Sequence, residues 1–194
     1  TVAGDEVYRH SAQIFDLYAQ MEGAVRELTG DVSGVLLLGA STTIADYLLP
    51  SLLGRFKSEF PDVSISLRVA NTDRVVAMVE ANDIDLGVVE APVHNKNLNV
   101  EVCRVDQLVA VLPPGHILAD RSTISLHDLL EFPFVTREEG SGTRNVIWDY
   151  LRAAGFNTAD LQVVMELGSP ESIKGAVESG MGVSILSRTT LHKE

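Results

Sequence analysis

The sequence is poor in cysteine, in positive charge and in long apolar runs. Cys103 is the single cysteine of 194 residues, so no intramolecular disulfide can form, and its apolar neighbours predict an inert strand residue. The 15 Lys and Arg against 27 Asp and Glu give a net charge of −12, which disfavours nucleic-acid binding because phosphates need clustered cations. No run reaches the roughly 18 apolar residues of a membrane span, and no secretory signal begins the chain. We therefore expect a cytoplasmic globular protein without a membrane partner.

Patterns that would indicate catalysis, a cofactor or a metal are also scarce. Gly140 and Gly142 match the first two glycines of a dinucleotide fingerprint, but Asn145 replaces the third. A P-loop lysine motif is missing, and neither Ser41 nor Ser141 lies in a nucleophile elbow. The histidines lack metal-ligand spacing and are expected in solvent: His10, His94, His116, His127 and His192. We expect no enzyme, no cofactor and no metal.

What the sequence does contain begins with one helix, predicted over 5–29. Apolar or small residues recur there with alternating spacings of three and four, which is typical of a coiled-coil seam that joins two copies. They are Val7, His10, Ile14, Leu17, Met21, Ala24 and Leu28. The alternative is an ordinary amphipathic helix that packs on its own domain.

Strands and helices alternate through the rest of the chain. The pattern predicts strands at 35–38, 63–69, 84–89, 100–105, 108–112, 134–136, 161–167 and 183–186. Helices are predicted at 44–60, where Pro50 should begin a new helical segment or kink the old one, and at 73–82, 143–154 and 171–179. Regular alternation with short connections favours an α/β fold with parallel sheets, and a change of character at 106–107 indicates a crossing between two lobes.

Three strand-to-helix turns share a polar, glycine-containing character and are expected to hold a ligand. They include Ser41, Thr42 and Thr43 in the first; Arg137, Ser141, Gly142, Thr143 and Arg144 in the second; and Ser169 in the third. Ligands of open α/β sheets bind beyond the carboxyl ends of strands, where the N–H groups of a helix first turn favour an anion. The alternatives are that the hydroxyls only cap helices, and that Glu138 or Glu139 holds the arginines. Glu90, after the third predicted strand, is either a contact in the same crevice or a solvated carboxylate.

Five segments together resemble the effector-binding domain of LysR-type regulators. They are 33–43 (SGVLLLGASTT), 47–50 (YLLP), 56–61 (FKSEFP), 83–89 (DIDLGVV) and 178–186 (ESGMGVSIL). The resemblance covers almost the whole chain. It implies two Rossmann-like subdomains in a periplasmic-binding-protein-like arrangement, an effector in the cleft between them, and a homodimer or homotetramer.

The same resemblance implies a site, a division of the chain and a ligand class. The effector is expected at Ser41, Thr42, Thr43, Ser141, Gly142 and Thr143, with help from Glu90 and Ser169. The segment 137–144 resembles regulators that respond to sulfur- or carbon-assimilation metabolites, including oxyanions. Segment 5–29 resembles a linker helix, 31–105 the first subdomain, 106–188 the second, and 189–194 the start of a return to the first.

On this resemblance, DNA contact would need a winged helix-turn-helix segment that is not in the sequence. Two rival classes share a two-lobed or Rossmann-like architecture. A solute-binding protein of a transporter would need an export signal and would lack the seam in 5–29. A nicotinamide-dependent enzyme would need the third glycine and an acid/base pair.

Overall fold

The computed structural model describes residues 1–29 and 32–191, and within the first helix it describes all side chains except those of 16, 19, 24 and 26–29. That helix, α1, spans Val2–Thr29 and so begins three residues before the prediction. Five seam residues have exposed side chains: His10, and Val7, Ile14, Leu17 and Met21 at 56–69%. Ala24 and Leu28 lie outside the described side chains. The described part of the seam therefore does not pack against the rest of its own chain.

The first lobe is a three-stranded parallel sheet with helices between its strands. Its elements are β1 (Gly34–Ser41), a π-helical segment (Ile44–Leu48), α2 (Leu49–Glu59), β2 (Val63–Ala70), α3 (Thr72–Glu80) and β3 (Leu86–Val88). The strand order is β2-β1-β3. The core of this lobe consists of Leu38, Ala40, Ala45 and Leu49. The apolar side of the π-helical segment and of the start of α2 therefore covers β1.

Pro50 has the predicted effect on the helical stripe after β1. The π-helical segment ends at Leu48, and Pro50 lies in the first turn of α2, where its missing N–H has no helical partner to lose. The prediction of a new helical segment at this proline is confirmed.

The second lobe contains two two-stranded sheets, one parallel and one antiparallel. Its elements are β4 (Leu108–Val111), α4 (Leu126–Leu130), β5 (Phe134–Arg137), α5 (Gly142–Ala153), β6 (Val163–Leu167), α6 (Pro170–Glu178) and β7 (Ser184–Ser187), with short 3-10 turns at Thr158–Asp160 and Arg188–Leu191. A bridge from Phe134 to Val183 joins the pairs β5-β6 and β4-β7. The pair β4-β7 is antiparallel, so the expectation of parallel sheets is wrong for this edge.

The short helix α4 has no counterpart among the predicted elements. Its start is fixed by a capping box, in which Asp128 N–H donates to Ser125 Oγ and the Ser125 N–H donates to the Asp128 carboxylate. The Ser125 hydroxyl donates to the same carboxylate at 2.6 Å, and these bonds hold the pKa of Asp128 below its ordinary value. Five helical residues are too few for a periodic pattern to reveal.

The predicted strand at 100–105 is wrong. Val102 and Val105 are 86% and 87% exposed, Cys103 is exposed as well, and no other described strand pairs with this segment. Alternating valines fit a pleated surface, but a strand also needs a neighbour for its backbone hydrogen bonds. Cys103 is therefore not the strand residue that its neighbours predicted.

The third strand is shorter than the predicted 84–89. The Asp85 carboxylate accepts the N–H of Leu37 at 2.8 Å, while the Asp85 N–H donates to the Leu37 carbonyl at 2.8 Å. A side-chain hydrogen bond thus replaces one backbone hydrogen bond of the sheet, and regular pairing begins at Leu86. At the other end of the chain, only 189–191 of the predicted return segment 189–194 are described.

Candidate functional site

The carboxyl ends of the first lobe's strands gather polar residues at one edge. Ser41 ends β1, Thr72 follows β2 at the start of α3, and Glu90 comes two residues after β3. Because the three strands are parallel neighbours, these positions share one edge of the sheet. The sequence placed Ser41 and Glu90 there, whereas Thr72 was not among the predicted site residues.

Two hydroxyls of the first turn are buried without a protein partner. Ser41 is 2% exposed and Thr43 is 3% exposed, and neither hydroxyl has a hydrogen bond. Thr43 occupies the N-cap position of the π-helical segment, yet its side chain makes no capping bond. Burial of an unpaired hydroxyl costs about 1–3 kcal/mol. These two hydroxyls are therefore suited to a ligand, and the alternative that they are N-caps does not explain them. Thr42, between them, is half-buried.

Arg137 ends β5 and is 3% exposed. Its Nε donates to Glu138 Oε2 at 2.8 Å and its Nη2 donates to Glu138 Oε1 at 3.1 Å, which is a two-bond ion pair. Nη2 also lies 3.4 Å from the Gly168 carbonyl, whereas Nη1 is buried without a partner. The guanidinium is thus fixed by its neighbour and still has one donor unused.

Arg144, at the start of α5, is held by three contacts. Its Nη1 donates to Glu166 at 2.7 Å and to the Arg137 carbonyl at 3.2 Å, and its guanidinium carbon lies 5.5 Å from the centre of the Trp148 ring. These contacts tie the side chain of Arg144 to the end of β5 and to β6.

Ser141 and Ser169 act as helix caps. The Ser141 hydroxyl accepts the Arg144 N–H at 3.4 Å at the start of α5. The Ser169 hydroxyl accepts the Ser172 N–H at 3.2 Å at the start of α6. For these two residues the capping alternative describes what the hydroxyls do. Each remains at the carboxyl end of a strand, beside helix N–H groups that favour an anion.

The turn that precedes α5 lies directly against the first lobe. The Gly140 carbonyl accepts the Asp73 N–H at 3.3 Å, the Glu139 carbonyl accepts Asn71 Nδ2 at 3.1 Å, and Thr143 Oγ1 donates to Glu90 Oε1 at 3.3 Å. Gly142 is necessary for this approach, because a Cβ there would lie 2.5 Å from Thr72 Oγ1 and 3.0 Å from the Ala91 backbone nitrogen. The turn and the edge of the first sheet therefore form one interface.

A second contact joins the lobes through Tyr47 and Lys174. The Lys174 ammonium, on α6, lies 5.6 Å from the centre of the Tyr47 ring in the π-helical segment, within cation–π range. It also donates to the Thr190 carbonyl at 3.1 Å and pairs with Glu171 at 3.2 Å. The segment that follows Ser41 and Thr43 is thus tied to the second lobe.

Two buried hydroxyls of this region were missed by the sequence analysis. Thr72 Oγ1 and Thr136 Oγ1 are each buried without a partner, as are the hydroxyls of Ser41 and Thr43. Thr72 follows a strand and opens a helix, so the rule that selected the other turns applies to it as well. Thr136 lies inside β5, and the alternation of residues in a strand does not indicate whether a hydroxyl is paired.

Metal-binding clusters and membrane-length apolar helices are not found among the described residues. Across 1–29 and 32–191, no three His, Cys, Asp or Glu side chains are grouped to hold a metal ion. None of the helices in the same ranges combines the length and the apolar character that crossing a bilayer requires.

Comparison with known proteins places the chain in a family. Residues 29–194 match the family model described as LysR substrate binding domain. The chain is 33% identical over 194 residues to the HTH-type transcriptional regulator CysL of Bacillus subtilis, covering all of the chain and 64% of that protein. It is 34% identical over 197 residues to a probable RuBisCO transcriptional regulator of Synechocystis sp. PCC 6803, again over all of the chain and 57% of the relative. The chain thus spans less than two thirds of either relative.

Among solved structures, the regulatory domain of Synechocystis PCC6803 CcmR in complex with 2-PG is 35% identical, with a TM-score of 0.75 over 84% of this chain and 76% of that one. Such matches share the two-lobed, periplasmic-binding-protein-like α/β fold that was expected from the sequence. With a family model covering residues 29–194 and relatives matched over its full length, the chain belongs to the LysR substrate-binding domain family.

Proposed function

We propose that the chain is the effector-sensing domain of a LysR-type transcriptional regulator and that it binds a small anionic metabolite between its lobes. Relatives over 30% identical are named as transcriptional regulators, and a solved relative carries the small ligand 2-PG. A regulator of this kind acts in the cytoplasm, is not an enzyme, and reaches DNA through a separate winged helix-turn-helix segment. The net charge of −12 agrees with a domain that does not itself bind DNA.

The observation that carries the ligand proposal is the set of buried polar atoms without a protein partner. Ser41 and Thr43 contribute hydroxyls at the end of β1, and Arg137 contributes Nη1 at the end of β5. Hydroxyls and a guanidinium can all donate to the oxygens of an anion, and each would otherwise remain desolvated at a cost. Sulfate-like, phosphate-like and carboxylate groups are the anions that match this donor set, which is consistent with a metabolite of sulfur or carbon assimilation.

The remaining predicted contacts complete the proposed site. Thr42, Glu90, Ser141, Gly142, Thr143 and Ser169 surround the same strand ends and bring helix N–H groups to the ligand. The proposed division at 31–105 and 106–188 places β1–β3 in one lobe and β4–β7 in the other. A ligand that contacts both lobes stabilises the closed arrangement, and the resulting population shift is the signal.

The oligomer that transmits this signal is proposed to be a homodimer or homotetramer joined in part through α1. Its exposed apolar side chains, among them Leu17 and Met21, match the heptad seam expected of a helix that pairs with another copy.

The test is anion binding by the purified chain and by an Arg137→Lys variant. Sulfate, phosphate, thiosulfate, O-acetylserine, 2-phosphoglycolate and 3-phosphoglycerate are screened by thermal shift, and hits are measured by calorimetry. Lysine keeps the charge but removes the planar fork, so affinity is expected to fall at least about tenfold.

Arg152→Lys is the matched control, because Arg152 pairs with Asp149 on the exposed side of α5. Its affinity should equal that of the parent chain. Each compound is tested at about 10 mM. If none of them changes the melting temperature, the anion site is refuted.

A further inference from the structure

Glu90 places a carboxylate at the edge of a site whose buried donors are proposed to bind an anion. It is half-buried, and one of its carboxylate oxygens accepts the hydroxyl of Thr143 from the other lobe at 3.3 Å. Among the described residues, no Lys, Arg or His lies within ion-pair distance of it. A carboxylate at this position is an acceptor only, and it repels a second negative charge.

The end of the neighbouring strand offers hydrogen-bond donors, where Glu90 offers only acceptors. Ser41 and Thr43 offer hydroxyls at the end of β1, the strand that pairs directly with β3. Arg137 Nη1 adds a donor from the second lobe. The proposed site therefore has two chemically distinct parts, donors at Ser41, Thr43 and Arg137 and an acceptor-only carboxylate at Glu90.

A simple anion satisfies only the donor cluster. An oxyanion that spans the proposed site would bring its negative charge toward Glu90, and the two negative charges repel each other. A ligand that also carries a donor group would hydrogen-bond to the free carboxylate oxygen, and a charge-assisted bond of that kind is among the stronger ones in proteins.

We infer that the ligand of this site carries a hydroxyl or ammonium group beside its anionic group, and that Glu90 is the residue that selects for it. This inference rests on the proposed anion site and narrows its ligand class. It places Glu90 as a specificity residue, whose contact with Thr143 holds its carboxylate at the interface of the lobes.

Three phosphate esters that differ only in the group on C2 provide the probe. They are 3-phosphooxypropionate, which has hydrogen there, 3-phosphoglycerate, which has a hydroxyl, and O-phosphoserine, which has an ammonium. Calorimetry on the chain should show the hydroxyl or the ammonium compound binding at least about tenfold more tightly than the hydrogen compound, because only these two offer a donor to the second oxygen of the charged Glu90 carboxylate.

The Glu90→Gln variant removes the charge and retains the shape. Its preference among the three esters should fall to within about threefold, because the amide neither attracts an ammonium nor repels an anion as a carboxylate does. Glu101→Gln is the matched control, since Glu101 is exposed and the substitution removes the same charge elsewhere. That control should keep the full preference.

The outcomes separate this inference from the proposed function. Equal binding of the three esters by the parent chain, or an unchanged preference in Glu90→Gln, overturns the role of Glu90 and leaves the anion site standing. Binding of inorganic phosphate or sulfate without any of the three esters also overturns it. If neither the esters nor the inorganic anions bind, both the anion site and the inference are wrong.

Discussion

Thr43 and Thr190 are both buried threonines, and they differ in whether the hydroxyl has a partner. The Thr190 hydroxyl donates to the Ser187 carbonyl at 2.7 Å, whereas the Thr43 hydroxyl has no protein partner. A hydroxyl that is buried and unpaired lowers stability, while one that is paired raises it. The two positions therefore allow the cost of a ligand-binding hydroxyl to be measured against a structural one.

We expect Thr43→Val to keep or raise the free energy of unfolding of the ligand-free chain, by up to about 1 kcal/mol, because it removes an unpaired buried hydroxyl. The same change should weaken anion binding about fivefold or more, since one donor to the anion is lost. Urea unfolding without ligand and calorimetry with the best anion of the screen measure the two effects.

Thr190→Val should behave in the reverse manner. It leaves the Ser187 carbonyl without its donor, so the free energy of unfolding should fall by about 1–2 kcal/mol, while anion affinity stays unchanged. A Thr43→Val variant that loses stability and binds the anion normally would show that Thr43 is structural.

The sequence could locate the site residues but could not distinguish their roles. Ser41 ends a strand, Ser141 comes shortly after one, both precede a helix, and both are 2% exposed. Ser141 caps α5, whereas Ser41 is unpaired. The difference depends on where the helix begins relative to the hydroxyl. A shift of one residue decides it, and the exact first residue of a helix is hard to predict. Thr136 was missed for a related reason, because strand periodicity reports burial and not hydrogen bonding.

The apolar seam of helix α1 is not covered by the two lobes where its side chains are described. The seam residues whose side chains are described face solvent, and a 28-residue helix with an exposed apolar stripe gains little from propensity alone. Leu17 is 69% exposed in the middle of that seam. A second copy that packs on the seam would bury it, as in a coiled coil.

We expect Leu17→Glu to shift the chain to a smaller species in sedimentation velocity, with a dissociation constant raised at least about tenfold, because a carboxylate in the seam is desolvated and meets its copy. Ala12→Glu is the control, since Ala12 is exposed on the opposite side of the helix. Equal sedimentation of the parent chain and both variants would exclude α1 from the interface.

Local sequence predicted most helices and strands because most of them bury a periodic apolar face. The first lobe follows from such a pattern, with Leu38 and Ala40 buried in β1 and Leu49 buried in α2. The failures occur where structure depends on a distant partner. Segment 100–105 has the residues of a strand without a described neighbour, and β4 pairs antiparallel with β7, 73 or more residues away along the chain. Pairing of this kind cannot be deduced from the residues of one segment.

The two lobes form one sensing unit only if the turn at 138–143 stays against the first lobe. Three hydrogen bonds hold it there, to Asn71, Asp73 and Glu90. Gly140 has a φ of +82°, a conformation that glycine adopts without strain, and this bends the turn toward α3. One of these bonds joins two backbone groups, and a Cβ on Gly142 would lie 3.0 Å from the Ala91 backbone nitrogen. Side-chain volume at this turn therefore limits how closely the lobes approach.

Gly142→Ala should therefore open this interface and weaken ligand binding at least about tenfold, because a ligand that bridges the lobes binds the closed arrangement. The added Cβ would lie 2.5 Å from Thr72 Oγ1, so the lobes must move apart. The Asp73 N–H, which donates to Gly140, should then exchange faster with deuterium. Gly175→Ala is the control, because its Cβ would meet nothing within 4 Å, and in a helix interior alanine should slightly raise stability. If Gly142→Ala keeps both the slow exchange at Asp73 and the parent affinity, closure at this turn does not control binding.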